Sequence, residues 1–279
     1  MITFLQLELT GNCQLACSHC YAESSPVASH GAMAIQDWER VMVEAAGMGV
    51  GMVQLIGGEP TRHPAFARIL DCAVDTIGRV EVYTNLVHIP DPVWDRFACP
   101  GVSVATSYYS DRADQHDAVT GRRGSHAKTR ANITKAIKRG IPVRAGVVDV
   151  LDQQRMEEAQ ADLENLGVTR IGPADRVRGV GRGTAATPNV DQLCGHCGDT
   201  RAAISPDGDV TPCTMARWGQ MVAGNVQEQP LAAIVESDRW RGIVSTIPSR
   251  GATACKPDSD GNDCAPAETI ACLPKLEEG

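Results

Sequence analysis

Three cysteines, Cys13, Cys17 and Cys20, stand close together in the stretch LTGNCQLACSHCY (residues 9–21). Three and then two residues separate them. Thiolates are soft ligands, and three of them fall one short of the complement that closes a cubane iron–sulfur cluster. A cluster held this way leaves one iron open to a ligand from outside the protein. The triplet therefore points to a reactive metal centre, against which the rest of the chain positions a cofactor and a substrate. A structural zinc site is the alternative, but zinc prefers four protein ligands, commonly as two C-x2-C pairs.

Other chemistry-bearing residues fall at or near the ends of predicted strands. Gly57-Gly58-Glu59-Pro60 follows the apolar run MVQLI (52–56). Glycines let backbone approach a ligand, and a carboxylate accepts hydrogen bonds from an ammonium. Thr84 and Asn85 stand in VEVYTNL (80–86), Thr106 and Ser107 in VSVATSY (102–108), and Arg144 in PVRAGVVDV (142–150). A second cysteine set follows: Cys194, Cys197, Cys213, Cys255, Cys264 and Cys272. In AAISPDGDVTPC, Pro206-Asp207-Gly208 is turn chemistry between apolar runs, so a hairpin is predicted to return Cys213 toward Cys194 and Cys197. Zinc-ribbon chemistry is the alternative for this tail. Cys72 and Cys99 read as buried free thiols, with a hydrogen-atom donor as the alternative role.

The positioning elements alternate. Strands are predicted over 3–9, 52–56, 80–86, 102–108, 142–150 and 168–172. Helices are predicted over 35–48, 63–77, 126–139 and 152–166, with Ser125 as an N-cap. Such alternation predicts a parallel sheet with helices outside, closed or half-closed into a barrel whose strand C-termini collect the site. The small, loop-like GVGRGTAATP (179–188) marks a domain boundary near residue 183.

Length and composition agree with one large α/β domain plus an appendage. The chain has 279 residues, 43% of them hydrophobic, which supplies a sizeable core. A formal net charge of −8 argues against a chain-wide grip on nucleic acid or anionic membrane. Basic residues are nevertheless dense at Arg122, Arg123, Lys128 and Arg130, and again at Arg176, Arg178 and Arg182. No signal peptide or long apolar span is evident, so a reducing cytoplasmic location is expected. Eleven cysteines there suggest metal binding before disulfides.

The triplet, its strand-then-loop context, His19 before the last cysteine and Tyr21 after it resemble the signature of the radical S-adenosylmethionine (radical SAM) superfamily. The resemblance implies a partial (β/α)6 TIM-like barrel over residues 1–183. It implies that Cys13, Cys17 and Cys20 hold a 4Fe–4S cluster whose open iron is chelated by SAM, which is cleaved reductively to a 5′-deoxyadenosyl radical. It further implies that Gly57, Gly58, Glu59 and Pro60 bind the SAM amino group. Thr84 and Asn85 would lie near SAM, and Thr106 and Ser107 near its ribose or carboxylate. Arg144 would face the SAM carboxylate or form a core-edge salt bridge. The segments HDAVTGRRGSH (116–126) and VRGVG (177–181) also look like superfamily elements.

Residues 184–279 resemble a SPASM/twitch extension, a small cysteine-rich α+β domain with a C-x(9–15)-G-x4-C element. Here ten residues separate Cys197 from Gly208, and four separate Gly208 from Cys213. The later pattern departs: Cys255-x8-Cys264-x7-Cys272 replaces C-x2-C-x5-C-x3-C. The resemblance thus implies at least one auxiliary 4Fe–4S cluster, on Cys194, Cys197, Cys213 and one of Cys255, Cys264 and Cys272.

Such extensions are typical of enzymes that modify ribosomal peptides. The expected substrate is a precursor peptide, which receives a crosslink or another oxidative change. Strand one starts at residue 3, so a separate leader-binding protein is an expected partner, along with an external electron donor. The alternatives are a small-molecule cyclase, dehydrogenase or epimerase, and a non-enzymatic metal-binding scaffold. Against the cyclase, the chain ends LEEG without a Gly-Gly tail. Against the scaffold stand the GGEP and TN elements, which it would not need.

Overall fold

A computed structural model describes residues 1–172, 174–193, 195 and 197–248. Six strands run parallel in chain order: β1 (Phe4–Glu8), β2 (Met52–Ile56), β3 (Val80–Tyr83), β4 (Val102–Tyr108), β5 (Val143–Asp149) and β6 (Arg170–Ile171). A short β7 (Asp175–Arg176) pairs with the end of β5. Helices α1 (Ile35–Gly47), α2 (Phe66–Ile77), α3 (Asp91–Phe97), α4 (Ala113–Thr120), α5 (Ser125–Lys138) and α6 (Met156–Asn165) connect them. This is the expected α/β arrangement. The short α3 and α4 went unread in the sequence, because seven and eight residues give too few turns for a clear period.

Strand alternation sorts the two faces of the sheet. Leu5, Leu7, Val53, Leu55, Val82 and Val104 pack in one buried cluster with Trp38 of α1, Ile69 and Leu70 of α2, and Trp94 and Phe97 of α3. The opposite face carries a buried polar row. Gln6 donates to Gln54 at 2.9 Å, and Gln54 donates to Glu81 at 2.6 Å. Arg144 then donates to both Glu81 oxygens, at 2.6 and 3.1 Å. The Arg144 guanidinium helps hold the Glu81 carboxyl below the usual range, against the burial that would raise it.

The extension continues the same sheet. The hairpin of β8 (Arg201–Ile204) and β9 (Asp209–Thr211) is antiparallel, as Pro206-Asp207-Gly208 predicts. Its first strand lies parallel to β1, register Phe4↔Arg201 through Leu7↔Ile204. β10 (Gly224–Asn225) pairs with β9, and α7 (Leu231–Val235) and α8 (Asp238–Ser245) follow. Among the described residues, no helix is long and apolar enough to cross a membrane.

One expected cap is replaced. Ser125 is the first residue of α5, not its N-cap. Asp117 of α4 does the capping, accepting from Ser125 Oγ and from His126 N at 2.9 Å each, and from Gly124 N. Burial raises the Asp117 carboxyl, but these bonds outweigh it and hold it below the ordinary value. Asp117→Ala is therefore expected to lower stability by about 1–2 kcal/mol, read as a lower urea midpoint. Because the folded pKa is depressed, that stability is present above the ordinary aspartate value of about 3.9. It is lost as pH falls through the lower folded value.

Candidate functional site

The cysteine loop leaves β1 and is fixed by its backbone rather than by its thiols. Cys13 N donates to Ser25 O at 3.0 Å, Ala16 N to Thr120 O at 3.1 Å and Ser18 N to Val119 O at 3.0 Å. Arg182 closes the far side: its N donates to Cys20 O at 3.0 Å, its Nε to Cys17 O at 2.8 Å and its Nη2 to Ser24 O at 2.9 Å. Gly181 permits this approach. Its φ is +57°, and a Cβ there would come within 2.3 Å of Tyr21 O.

This loop and the strand ends enclose a cavity of about 730 Å³, counting its open mouth. Cys13, Cys17 and Cys20 all line it, as do His19, Gly57, Gly58, Asn85 and Ser107. Cys13 Sγ lies 3.4 Å from Leu15 N and 3.6 Å from Asn85 Nδ2, both of which donate toward it. Burial, helped by the charge of Glu59, pushes the Cys13 thiol up to about 12. At that value it keeps its proton at neutral pH unless a metal cation displaces it.

The donor set fits an iron–sulfur cluster. Cys13, Cys17 and Cys20 line one cavity together, and three soft thiols fall one short of the set that closes a cubane cluster, which leaves one iron for an outside ligand. A second observation favours a ligand beside the cluster. Ser24 Oγ is buried on the cavity wall and has no hydrogen-bond partner. A bound polar molecule would complete it.

Five expected cofactor contacts, Glu59, Pro60, Thr84, Thr106 and Arg144, do not line the cavity. Glu59 is fully buried and does not line the cavity. Its Oε1 accepts from Thr61 N, Thr61 Oγ1 and Thr84 Oγ1 at 3.2, 2.7 and 2.8 Å, and its Oε2 accepts from Asn85 N at 2.9 Å. It ties the GGEP turn to the TN turn. Burial raises its pKa while these donors oppose the rise. Pro60 and Thr84 are buried beside it. Thr106 points to the helix side, because adjacent strand residues face opposite ways; Ser107 takes the cavity side and bonds Tyr83 Oη at 2.9 Å. Arg144 pairs with Glu81 below the cavity, the core-edge alternative of its two expected roles.

Gly57 and Gly58 both line the cavity, and Gly58 also packs against the cysteine loop. Gly58 N donates to Thr10 O at 2.6 Å, and a Cβ on Gly58 would meet Asn12 O at 2.5 Å. Close packing against the cysteine loop requires this glycine, whether or not a ligand is near.

The sequence reading missed Ser24, Tyr109 and Thr129 as lining residues. It treated Arg182 only as part of a basic group and His116 only as part of a segment. His116 is buried and driven down to about 3, first by burial and then by His126, so it is neutral at pH 7. Its Nδ1 faces Tyr109 N at 3.5 Å, which leaves the proton on Nε2.

In the extension, Cys197 and Cys213 are both buried. Gly198 N donates to Pro212 O at 3.1 Å, so the residues next to each cysteine touch. Cys194, Cys255, Cys264 and Cys272 lie outside the described residues. Arg217, four residues after Cys213, pairs with Glu8 at the end of β1 at 2.9 Å.

Comparison with known proteins places this geometry. The chain is 33% identical over 142 residues to the antilisterial bacteriocin subtilosin biosynthesis protein AlbA of Bacillus subtilis, covering 50% of this chain and 32% of that one. It is 26% identical to GTP 3′,8-cyclase of Geobacter sulfurreducens, covering 91% and 93%. The chain spans 32–45% of the length of the first three curated relatives it matches. Streptococcus suis SuiB bound to precursor peptide SuiA shares the fold, with a TM-score of 0.76 at 15% identity over 99% of this chain and 76% of SuiB. The SPASM iron–sulfur cluster-binding domain model matches residues 194–264. The Radical SAM superfamily model matches residues 7–166, more than half of the chain, and the chain belongs to that superfamily.

Proposed function

We propose that this chain is a radical SAM oxidoreductase acting on a ribosomally made peptide, in which it installs a crosslink or another oxidative change. The carrying observation is the cavity, in which three cysteine thiols, Gly57, Asn85 and the unpartnered Ser24 hydroxyl share one wall system. Cys13, Cys17 and Cys20 would hold the SAM-binding 4Fe–4S cluster. Bound there with SAM, that cluster supplies one-electron, hydrogen-abstracting chemistry. The chain's own residues do the positioning. Arg182 and Asn85 fix the loop and Cys13, and the Ser24 hydroxyl offers a hydrogen bond to SAM. Neutral His116 lines the same cavity and would offer a ligand an Nε2–H without adding positive charge. Ile56, Tyr83 and Tyr109 give part of the cavity an apolar wall.

Cys197 and Cys213 support an auxiliary 4Fe–4S cluster, completed by Cys194 and one of Cys255, Cys264 and Cys272. AlbA, by name, and SuiB, by its bound precursor peptide, support a peptide substrate. The GTP cyclase, matched over nearly its whole length, supports a second reading in which the substrate is a small molecule.

The test is anaerobic reconstitution with iron, sulfide, SAM and dithionite. The expected result is 5′-deoxyadenosine and about eight irons per chain, two four-iron clusters. About four irons would remove the auxiliary cluster, and no 5′-deoxyadenosine would remove the radical reading. A short precursor reading frame beside this gene, whose product gains a crosslink in the reaction, would separate peptide from small molecule.

A further inference from the structure

A second cleft, of about 460 Å³, lies behind the cysteine loop. Gln14, Arg62, His88, Arg122 and Lys128 line it. Three of the five are cationic and none carries a carboxylate. Some exposed arginines elsewhere, Arg68, Arg112, Arg130 and Arg241, sit on an acidic partner, and others, such as Arg123 and Arg239, do not among the described residues, so what sets the cleft apart is three cations gathered in one place. Arg62, Arg122 and Lys128 are in no ion pair among the described residues. In a chain of net charge −8, this is a concentrated positive face.

The cleft is separated from the thiols by one hydrogen-bonded layer. Arg122 Nη1 donates to Gln14 O at 3.1 Å. Gln14 Nε2 donates to Asn85 Oδ1 at 2.9 Å, and Asn85 Nδ2 reaches Cys13 Sγ at 3.6 Å. Gln14 lines the cleft, while Cys13 and Asn85 line the cavity. The cleft therefore gives an outside partner the edge of the cluster loop without entering the space needed by SAM and substrate.

We propose that this cleft docks an acidic one-electron donor protein that reduces the centre on Cys13, Cys17 and Cys20. The proposal rests on the radical SAM reading of the cavity. In the transfer step, one electron leaves the donor's reduced cofactor and enters the cluster; no bond forms or breaks and no proton moves. The charge match explains the cleft: a positive face guides an acidic partner and sets its orientation, an effect that falls with ionic strength.

The probe is a reduced plant-type ferredoxin, an acidic low-potential donor, compared with dithionite as a donor that needs no docking. Lys128 and His88 are exposed rim residues, so the double variant Lys128→Glu, His88→Glu reverses charge without touching the cysteine loop. The expected result is a fall of about tenfold in ferredoxin-driven 5′-deoxyadenosine formation at low salt, with the dithionite-driven rate unchanged. An unchanged ferredoxin rate overturns the proposal, as does an equal fall with both donors. A raised KM for an acidic peptide substrate with an unchanged ferredoxin rate assigns the cleft to substrate instead, and also overturns it. Wild-type protein that makes no 5′-deoxyadenosine with dithionite sinks the radical reading itself. Should the double variant not fold, wild-type protein still decides. Its ferredoxin-driven rate should drop as salt rises while the dithionite-driven rate holds, and a salt-independent ferredoxin rate rejects docking by charge.

Discussion

Cys17→Ala is expected to abolish 5′-deoxyadenosine formation under anaerobic reduction and to remove about four irons per chain. The backbone work of Cys17 survives the change, since its carbonyl still accepts from Cys20 N at 3.3 Å and from Arg182 Nε at 2.8 Å. Only a half-exposed thiol is lost, so the far-ultraviolet circular dichroism of the variant should match wild type. Two thiolates remain, one fewer than a cluster with a single open iron requires. Removing an outer-shell partner of a metal ligand already costs about 10–100-fold in affinity or activity. Removing the ligand itself should leave less than about 1% of the wild-type rate. Near-normal 5′-deoxyadenosine from Cys17→Ala would mean that the triplet does not hold the reactive cluster.

Cys213→Ala should separate the two halves of the reaction. Cys213 does not line the cavity, so SAM cleavage without product is expected to continue at the wild-type level. Modified product, measured by mass spectrometry, is expected to vanish. The Cys213 thiol is buried, and truncating it to alanine leaves only a small void. A cost of about 1 kcal/mol is the right order, too little to unfold the chain. Cys213→Ser, which fills the void but ligates iron poorly, should behave the same way. Unchanged product yield in both variants would leave the auxiliary cysteines no part in turnover.

Much of this was legible because strand order and strand-end chemistry coincide. Apolar runs separated by amphipathic stretches predict parallel strands, and Cys13, Gly57, Asn85 and Ser107 follow such runs. Thr106 shows where reading stopped. The pair Thr106-Ser107 gives no hint which hydroxyl faces inward, since that depends on the pairing of β4 with β3 and β5. Glu59 and Arg144 are a second case. Each has the charge to meet SAM, but partners distant in sequence, Thr84 and Asn85 for one and Glu81 for the other, occupy them. Asp117 caps in place of Ser125 because Gly124 takes the N-cap position and Ser125 falls inside the helix. Arg182 lay in a glycine-rich run that reads as a linker, and only folding brings it against the carbonyls of Cys17, Cys20 and Ser24.

β1 is flanked on both sides, by β2 and by β8. An open half-barrel would otherwise present β1 as a bare border, with its amide and carbonyl groups ready to recruit a strand from another molecule. The extension thus serves as a selvedge: it finishes the raw margin of the sheet while carrying its own cysteines. Detaching it would strip the first strand, from which the cysteine loop hangs, so a single thermal transition, rather than two in sequence, is the result expected by calorimetry.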